Sequence, residues 1–158
     1  MRLSRSSDVV GIAADVLRFA LEASRETHPN EYMGFLRGEA ARDLGVTLDR
    51  DGTVVTDILV VPGTTSNEVS ATVPTELLPN DFSAVGSVHS HPNGVLRPSD
   101  ADLATFGSGA VHLILGAPYQ PDDWRAFDSR GEPTRLPVLK IDLPDPGDFF
   151  DFTEEDLL

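Results

Sequence analysis

Apolar positions recur at helical spacing near the start of the chain. Val9, Ile12, Ala13, Val16, Phe19, Ala20 and Ala23 form a stripe over residues 8–26, which predicts one amphipathic helix. Ser7 is its candidate N-cap, and His28-Pro29-Asn30 ends it. The period then shortens. Tyr32 to Leu36 predicts a buried strand. Leu44, Val46 and Leu48 alternate, Asp49-Arg50-Asp51-Gly52 turns the chain, and Val54 to Val61 returns, the pattern of a hairpin. Residues 62–72 read as a polar loop, and Pro74 to Leu78 as the start of a short helix. Phe82 to Val88 predicts a buried strand, and Asp100 to Phe106 a helix stopped by Gly107 and Gly109. Val111 to Leu115 and Trp124 to Phe127 predict two more strands, and Ser129-Arg130-Gly131 turns the chain into Leu136 to Ile141. No repeat or internal boundary interrupts this series. It predicts a single α/β domain over residues 1–142.

Residues 143–158 change character. From Asp142 onward the chain holds seven acidic residues and no basic one, interleaved with Phe149, Phe150, Phe152, Leu157 and Leu158. A disordered solubilising tail has this charge. The clustered phenylalanines favour a segment that docks on the domain or on a neighbouring copy, which leaves a homodimer open.

Composition narrows the function classes. A chain of 158 residues with 40% hydrophobic content can bury a core of ordinary size. No stretch approaches a membrane span, and the N-terminus lacks a basic segment followed by an apolar one, so a cytoplasmic protein is expected. There is no cysteine, which excludes disulfides, thiol nucleophiles and Cys-ligated zinc. The net charge is −14, and Lys140 is the only lysine among 12 basic residues. Nucleic acid is therefore not an expected ligand, because no basic patch could neutralise phosphates. An acidic, lysine-poor surface fits a halophilic cytoplasm, where salt screens carboxylate repulsion. A GC-rich genome would also favour Arg over Lys.

Candidate chemistry is concentrated in His89-Ser90-His91-Pro92-Asn93-Gly94-Val95-Leu96-Arg97-Pro98-Ser99-Asp100-Ala101-Asp102. Residues two apart on a strand share a face, so His89 and His91 can aim their rings at one point. Pro92-Asn93-Gly94 breaks the strand, and the chain can return Asp102 to the same point. Two histidines and one carboxylate leave a tetrahedral zinc ion an open position for water, the arrangement of a catalytic site.

The pattern His-x-His, seven residues, Ser, two residues, Asp resembles the signature of the JAMM (MPN+) zinc metallopeptidases. That family places a glutamate upstream of a Gly-rich strand, and Glu31-Tyr32-Met33-Gly34-Phe35-Leu36-Arg37-Gly38 matches it. The resemblance spans roughly residues 8–142. It implies a single MPN domain with a curved, mainly antiparallel sheet, the first helix packed on it and the Ser/Asp helix near the metal. It implies one zinc per chain on His89, His91 and Asp102, with Glu31 as general base and Ser99 as oxyanion donor. It also implies hydrolysis of an isopeptide or peptide bond after the C-terminal Gly-Gly of ubiquitin-like modifier proteins, as in an archaeal deconjugase. Met33 stands where a cysteine is common, a matter of packing.

Plainer readings stand beside these. Ser99 and Asp102 also have the form of a helix capping box. Glu31 could be a solvated carboxylate. His112 reads as a core or supporting histidine within an apolar strand, and His28 as a structural one at a helix end. Asp100 reads as exposed, and Tyr119 and Trp124 as core or groove wall. A non-catalytic MPN scaffold, or a peptidase acting on a sulfur-carrier protein, are the alternatives to a deconjugase. Metallo-β-lactamase-like hydrolases continue into Asp-His two residues on, whereas Pro92 and Asn93 follow here, and amidohydrolase barrels require far more chain.

Overall fold

The computed structural model describes residues 8–45, 48, 51–60, 65–66, 71–72, 84–106 and 109–143. Its first element corrects the sequence expectation. Val9–Ala13 is a strand, β1, and the helix α1 runs only over Ala14–Thr27. Val9, Val10 and Ile12 are β-branched and favour extended chain, and β1 lies inside the sheet, between β10 (Val138–Leu139) and β3 (Thr53–Leu59). A strand buried on both faces shows a continuous apolar run rather than an alternation, and this run merged with the helical stripe. Ser7 lies outside the described residues; α1 instead follows Ala13, with no side-chain cap.

β2 spans Met33–Ala40, longer than the apolar run alone, and pairs with β3 antiparallel. The expected hairpin thus exists, with a different outgoing arm. Leu44 is not in a strand: Ala41–Leu44 forms a 3₁₀ turn closed by Gly45 at φ 69°. Leu44 and Leu48 pack around Val10, Ala41 and Val54, so their alternation marks burial rather than a ladder. Val46 and the first half of the Asp49–Gly52 turn, Asp49 and Arg50, lie outside the described residues. Within the expected polar loop, β4 (Thr65–Ser66) and β5 (Ala71–Thr72) pair as a small antiparallel ribbon. The expected helix from Pro74 and the tail beyond Leu143 also lie outside the described residues.

The rest follows the apolar runs closely. β6 is Ala84–His91, α2 Asp100–Thr105, β7 Val111–Gly116, β8 Trp124–Phe127 and β9 Pro133–Thr134. Eight strands form one sheet in the order β10-β1-β3-β2-β6-β7-β8-β9. Four of its seven ladders are antiparallel, as expected, and three are parallel: β1 with both β10 and β3, and β6 with β7. Gly86 permits the close start of that last ladder, since a Cβ there would sit 1.6 Å from the Val111 carbonyl oxygen.

Alternation along β6 divides the molecule. Val88 joins Leu36, Val55, Leu113 and Leu115 in the main core, under Val16, Leu17, Ala20 and Leu21 of α1. Ser87, His89 and His91 face the other way, where Ile114, Phe106 and Phe127 form a smaller core. Among the described residues, no helix is long and apolar enough to cross a membrane.

Candidate metal centre

His89 and His91 end the central strand β6, and α2 begins beside them. His89 Nε2 lies 2.9 Å from Asp102 Oδ1, and His91 Nε2 lies 3.0 Å from Asp102 Oδ2. The three side chains offer ligand atoms all within 4.8 Å of one another. The two rings stand 5.0 Å apart at 53°, so their edges, not their faces, converge.

Local sequence explains this aim. Gly94 takes φ 81°, a left-handed conformation that glycine adopts without strain, and its N–H donates to the His91 carbonyl. Asn93 Oδ1 accepts the Val95 N–H at 2.9 Å, an Asx turn. The folded-back chain sets the Val95 carbonyl 2.7 Å from His91 Nδ1. A carbonyl only accepts, so Nδ1 carries the proton, and in the neutral ring Nε2 presents a lone pair toward Asp102.

Asp102 is held with similar economy. The Ser99 N–H donates to its Oδ2 at 2.7 Å, and the Asp102 N–H donates to Ser99 Oγ at 3.1 Å. The capping box is therefore present and is also the mount of the carboxylate; the two readings of these residues coincide. Ser99 Oγ acts there as an acceptor, which leaves its own O–H for another partner. Ser99 is exposed.

Glu31 is buried at 7% exposure. Met33 pairs with His89, and continuing the alternation puts Glu31 on the ligand face. Burial pushes its carboxyl above the ordinary value, against the pull of the His89 and His91 rings, and Asp102 adds to the rise. Glu31 thus feels all three members of the group without belonging to it.

The donor set fits a metal ion. His89 Nε2 is buried and makes no hydrogen bond; its 2.9 Å approach to Asp102 lacks hydrogen-bond alignment. Two imidazole nitrogens and a carboxylate crowd one point, with a carbonyl fixing the tautomer of His91 from behind, the usual support of a metal-bound histidine. Burial would raise the Asp102 carboxyl, but the His89 and His91 rings and the Ser99 N–H hold it well below the usual carboxylate range. For His91, burial is outweighed by Asp102 and the Val95 carbonyl, and its pKa is raised. The Asp102 charge that favours a proton on His91 would equally favour a metal ion in that proton's place.

Other expectations can be placed. His28 Nδ1 pairs with the Tyr119 hydroxyl at 2.9 Å, and Arg25 donates to the Tyr119 carbonyl at 2.7 Å. Both histidine and tyrosine are structural, clasping the end of α1 to the loop after β7. Asp100 is exposed and Trp124 half-buried. The sequence reading assigned no role to Ser90, which lies between the two histidines fully buried and binds the backbone of Tyr32. A hydroxyl in a strand otherwise buried was the available signal.

This architecture and site define the class. The chain belongs to the family described as prokaryotic homologs of the JAB domain, matched over residues 13–130. It is 70% identical, over 99% of its own length and 96% of the other, to a Haloferax volcanii protein named "Probable metalloprotease". Solved structures resemble it as well, two of them with more than a quarter of their residues identical. One is a JAB1/MPN domain protein from Archaeoglobus fulgidus, with TM-score 0.60 and 27% identity, covering 83% of this chain and 100% of that one. The other is described as a JAMM metalloprotease-like zinc site in the proteasome and signalosome, with TM-score 0.58 and 26% identity, covering 84% and 99%. The expected single MPN domain is thus the fold of this chain.

Proposed function

We propose that the protein is a zinc metallopeptidase of the JAMM type, acting on isopeptide or peptide bonds that follow the C-terminal Gly-Gly of ubiquitin-like modifier proteins. The observation that carries the hydrolytic part is the convergence of His89 Nε2, His91 Nε2 and Asp102 on one point, with the buried Glu31 carboxyl beside it. The name of the Haloferax volcanii relative supports a protease. The modifier substrate rests on the family resemblance of the motif.

His89, His91 and Asp102 would hold the ion. Zinc held there supplies Lewis acidity, which brings the pKa of a water toward neutrality and polarises a scissile carbonyl. Glu31 accepts the proton of the attacking water on its carboxylate and returns it to the leaving amine. A carboxylate beside the ion but outside its ligand set can make both transfers. The Ser99 O–H, not consumed by the capping box, donates to the oxyanion of the tetrahedral intermediate. The capping box keeps Asp102 in place throughout.

A scaffold that only binds partners has no use for this converged set. A sulfur-carrier substrate would present the same Gly-Gly end to the same groups. The deciding experiment incubates zinc-loaded protein with two substrates, a modifier conjugated to a lysine and a sulfur-carrier fusion extended past its Gly-Gly, beside Glu31→Gln. Glu31-dependent release of free modifier supports the deconjugase. Release from the fusion alone supports the sulfur-carrier reading, and no release from either leaves the chain without this activity.

A further inference from the structure

On the ligand face of the sheet, one ring touches both elements that supply the metal ligands. We propose that His112 is a positioning residue for the metal site, its imidazole cross-linking the strand that carries His89 and His91 to the helix that carries Asp102. The proposal rests on the reading of those three residues as ligands.

Ser87 lies two residues before His89, on the same face, and pairs across the ladder with His112. Its Oγ is 2.7 Å from His112 Nδ1. On the other side of the ring, His112 Nε2 is 3.0 Å from the Phe106 carbonyl oxygen and 3.3 Å from that of Gly109. Both are acceptors only, so Nε2 carries the proton and Nδ1 accepts from the Ser87 hydroxyl. The ring is buried at 2% exposure, and burial lowers its pKa, which agrees with a fixed neutral tautomer.

Phe106 ends α2. It is fully buried and stacks on His112 with centroids 4.1 Å apart and planes within 5°. The middle of α2 offers little purchase, since Asp100, Ala101, Leu103 and Ala104 are exposed. The capping box closes the helix's own first turn, and its end is held to the sheet by Phe106 on His112. Glycine at 109 lets the backbone pass close to the ring, since a Cβ there would come within 2.8 Å of its Cε1. One side chain therefore bonds to both elements that carry the ligand set, beside the packing of Phe106 on Ile114 and Phe127. Groups that orient ligands from behind typically change metal affinity by roughly ten- to a hundred-fold when removed.

The test uses the full chain. Zinc affinity is measured by competition with a chromophoric chelator, ligand geometry by the absorption spectrum of the cobalt(II) form, and fold by thermal melts of the metal-free protein. His112→Ala should weaken zinc binding by roughly ten- to a hundred-fold and alter the cobalt spectrum. His112→Gln can still offer an N–H toward Phe106 and should recover part of the affinity. Ser87→Ala removes one bond only and should lose affinity with a smaller fall in the metal-free melting temperature than His112→Ala. A folded His112→Ala with wild-type affinity and spectrum would overturn the proposal. If that variant does not fold, wild-type affinity in both His112→Gln and Ser87→Ala overturns it instead. A wild-type protein that binds no zinc would remove the ligand reading itself, an outcome visible before any variant is compared.

Discussion

The N–H of Tyr32 donates to the Ser90 hydroxyl at 2.8 Å, and the Ser90 N–H donates to the Tyr32 carbonyl at 2.9 Å. Residues 58 apart in sequence are thus clasped in both directions, next to Glu31 on one side and between His89 and His91 on the other. Removing the hydroxyl leaves a buried N–H without a partner, a cost of about 1–3 kcal/mol. Ser90→Ala should lower the melting temperature by several degrees and reduce turnover more than zinc content. Ser90→Thr, which keeps the hydroxyl, should restore much of both. Unchanged turnover in Ser90→Ala would show that the clasp does not position Glu31.

Metal binding should follow the three converging side chains. Elemental analysis of the purified protein should find about one zinc per chain, with most of it lost in His89→Ala, His91→Ala and Asp102→Ala. A ligand present at a thousand times its dissociation constant stabilises the native state by about 4 kcal/mol. Chelation should therefore lower the wild-type melting temperature and leave these variants unmoved. Full zinc occupancy in any of the three would reassign the ligands.

Glu31→Gln should keep its zinc and lose hydrolysis by roughly a hundred- to ten-thousand-fold, because an amide cannot carry the proton. Ser99→Ala should lose roughly a hundred- to a thousand-fold, together with a small drop in stability from the broken cap. Paired zinc analysis and turnover measurements check both. Near-normal turnover in Glu31→Gln would move the base elsewhere.

Surface charge makes a separate prediction. With a net charge of −14, carboxylates repel across the surface wherever the Debye length is long, about 10 Å at 0.1 M salt and about 3 Å at 1 M. Melting temperature and activity should both rise toward molar salt. Activity on an acidic modifier conjugate should rise more steeply than activity on a short neutral peptide. Equal stability in dilute buffer and molar salt would remove the case for a high-salt setting and leave the metal chemistry untouched.

What could be read from the residues, and what could not, divides by range. His89, His91, Ser99 and Asp102 fall within one strand, one turn and one helix start, so spacing alone brought them together. The strand Val9–Ala13 was not legible, because a run buried on both faces carries no period and its residues happened to extend a true helical stripe. The parallel pairing of β1 with β3 and β10 was hidden for the same reason: nothing local in Val138–Leu139 names its partner. The supports of the site are longer-range still. Ser90 with Tyr32, and Ser87 with His112, meet only once β6 is flanked by β2 and β7, and a serine in a strand gives no hint of which neighbour it will hold.

The two faces of β6 also set which changes in chain length this protein can absorb. Side chains alternate with a period of two, so one residue added between Gly86 and His89 would exchange the faces of everything after it. The imidazoles would turn into the apolar layer under α1, and Ser90 would turn out of its clasp. The stretch from Leu96 to Pro98 lies outside any ladder, but it sets the reach from a turn closed on Val95 to a helix capped at Ser99, so a change of length there would carry Asp102 away from both histidine rings. Relatives with a working site should therefore agree in length from Gly86 through Asp102, the span of the motif.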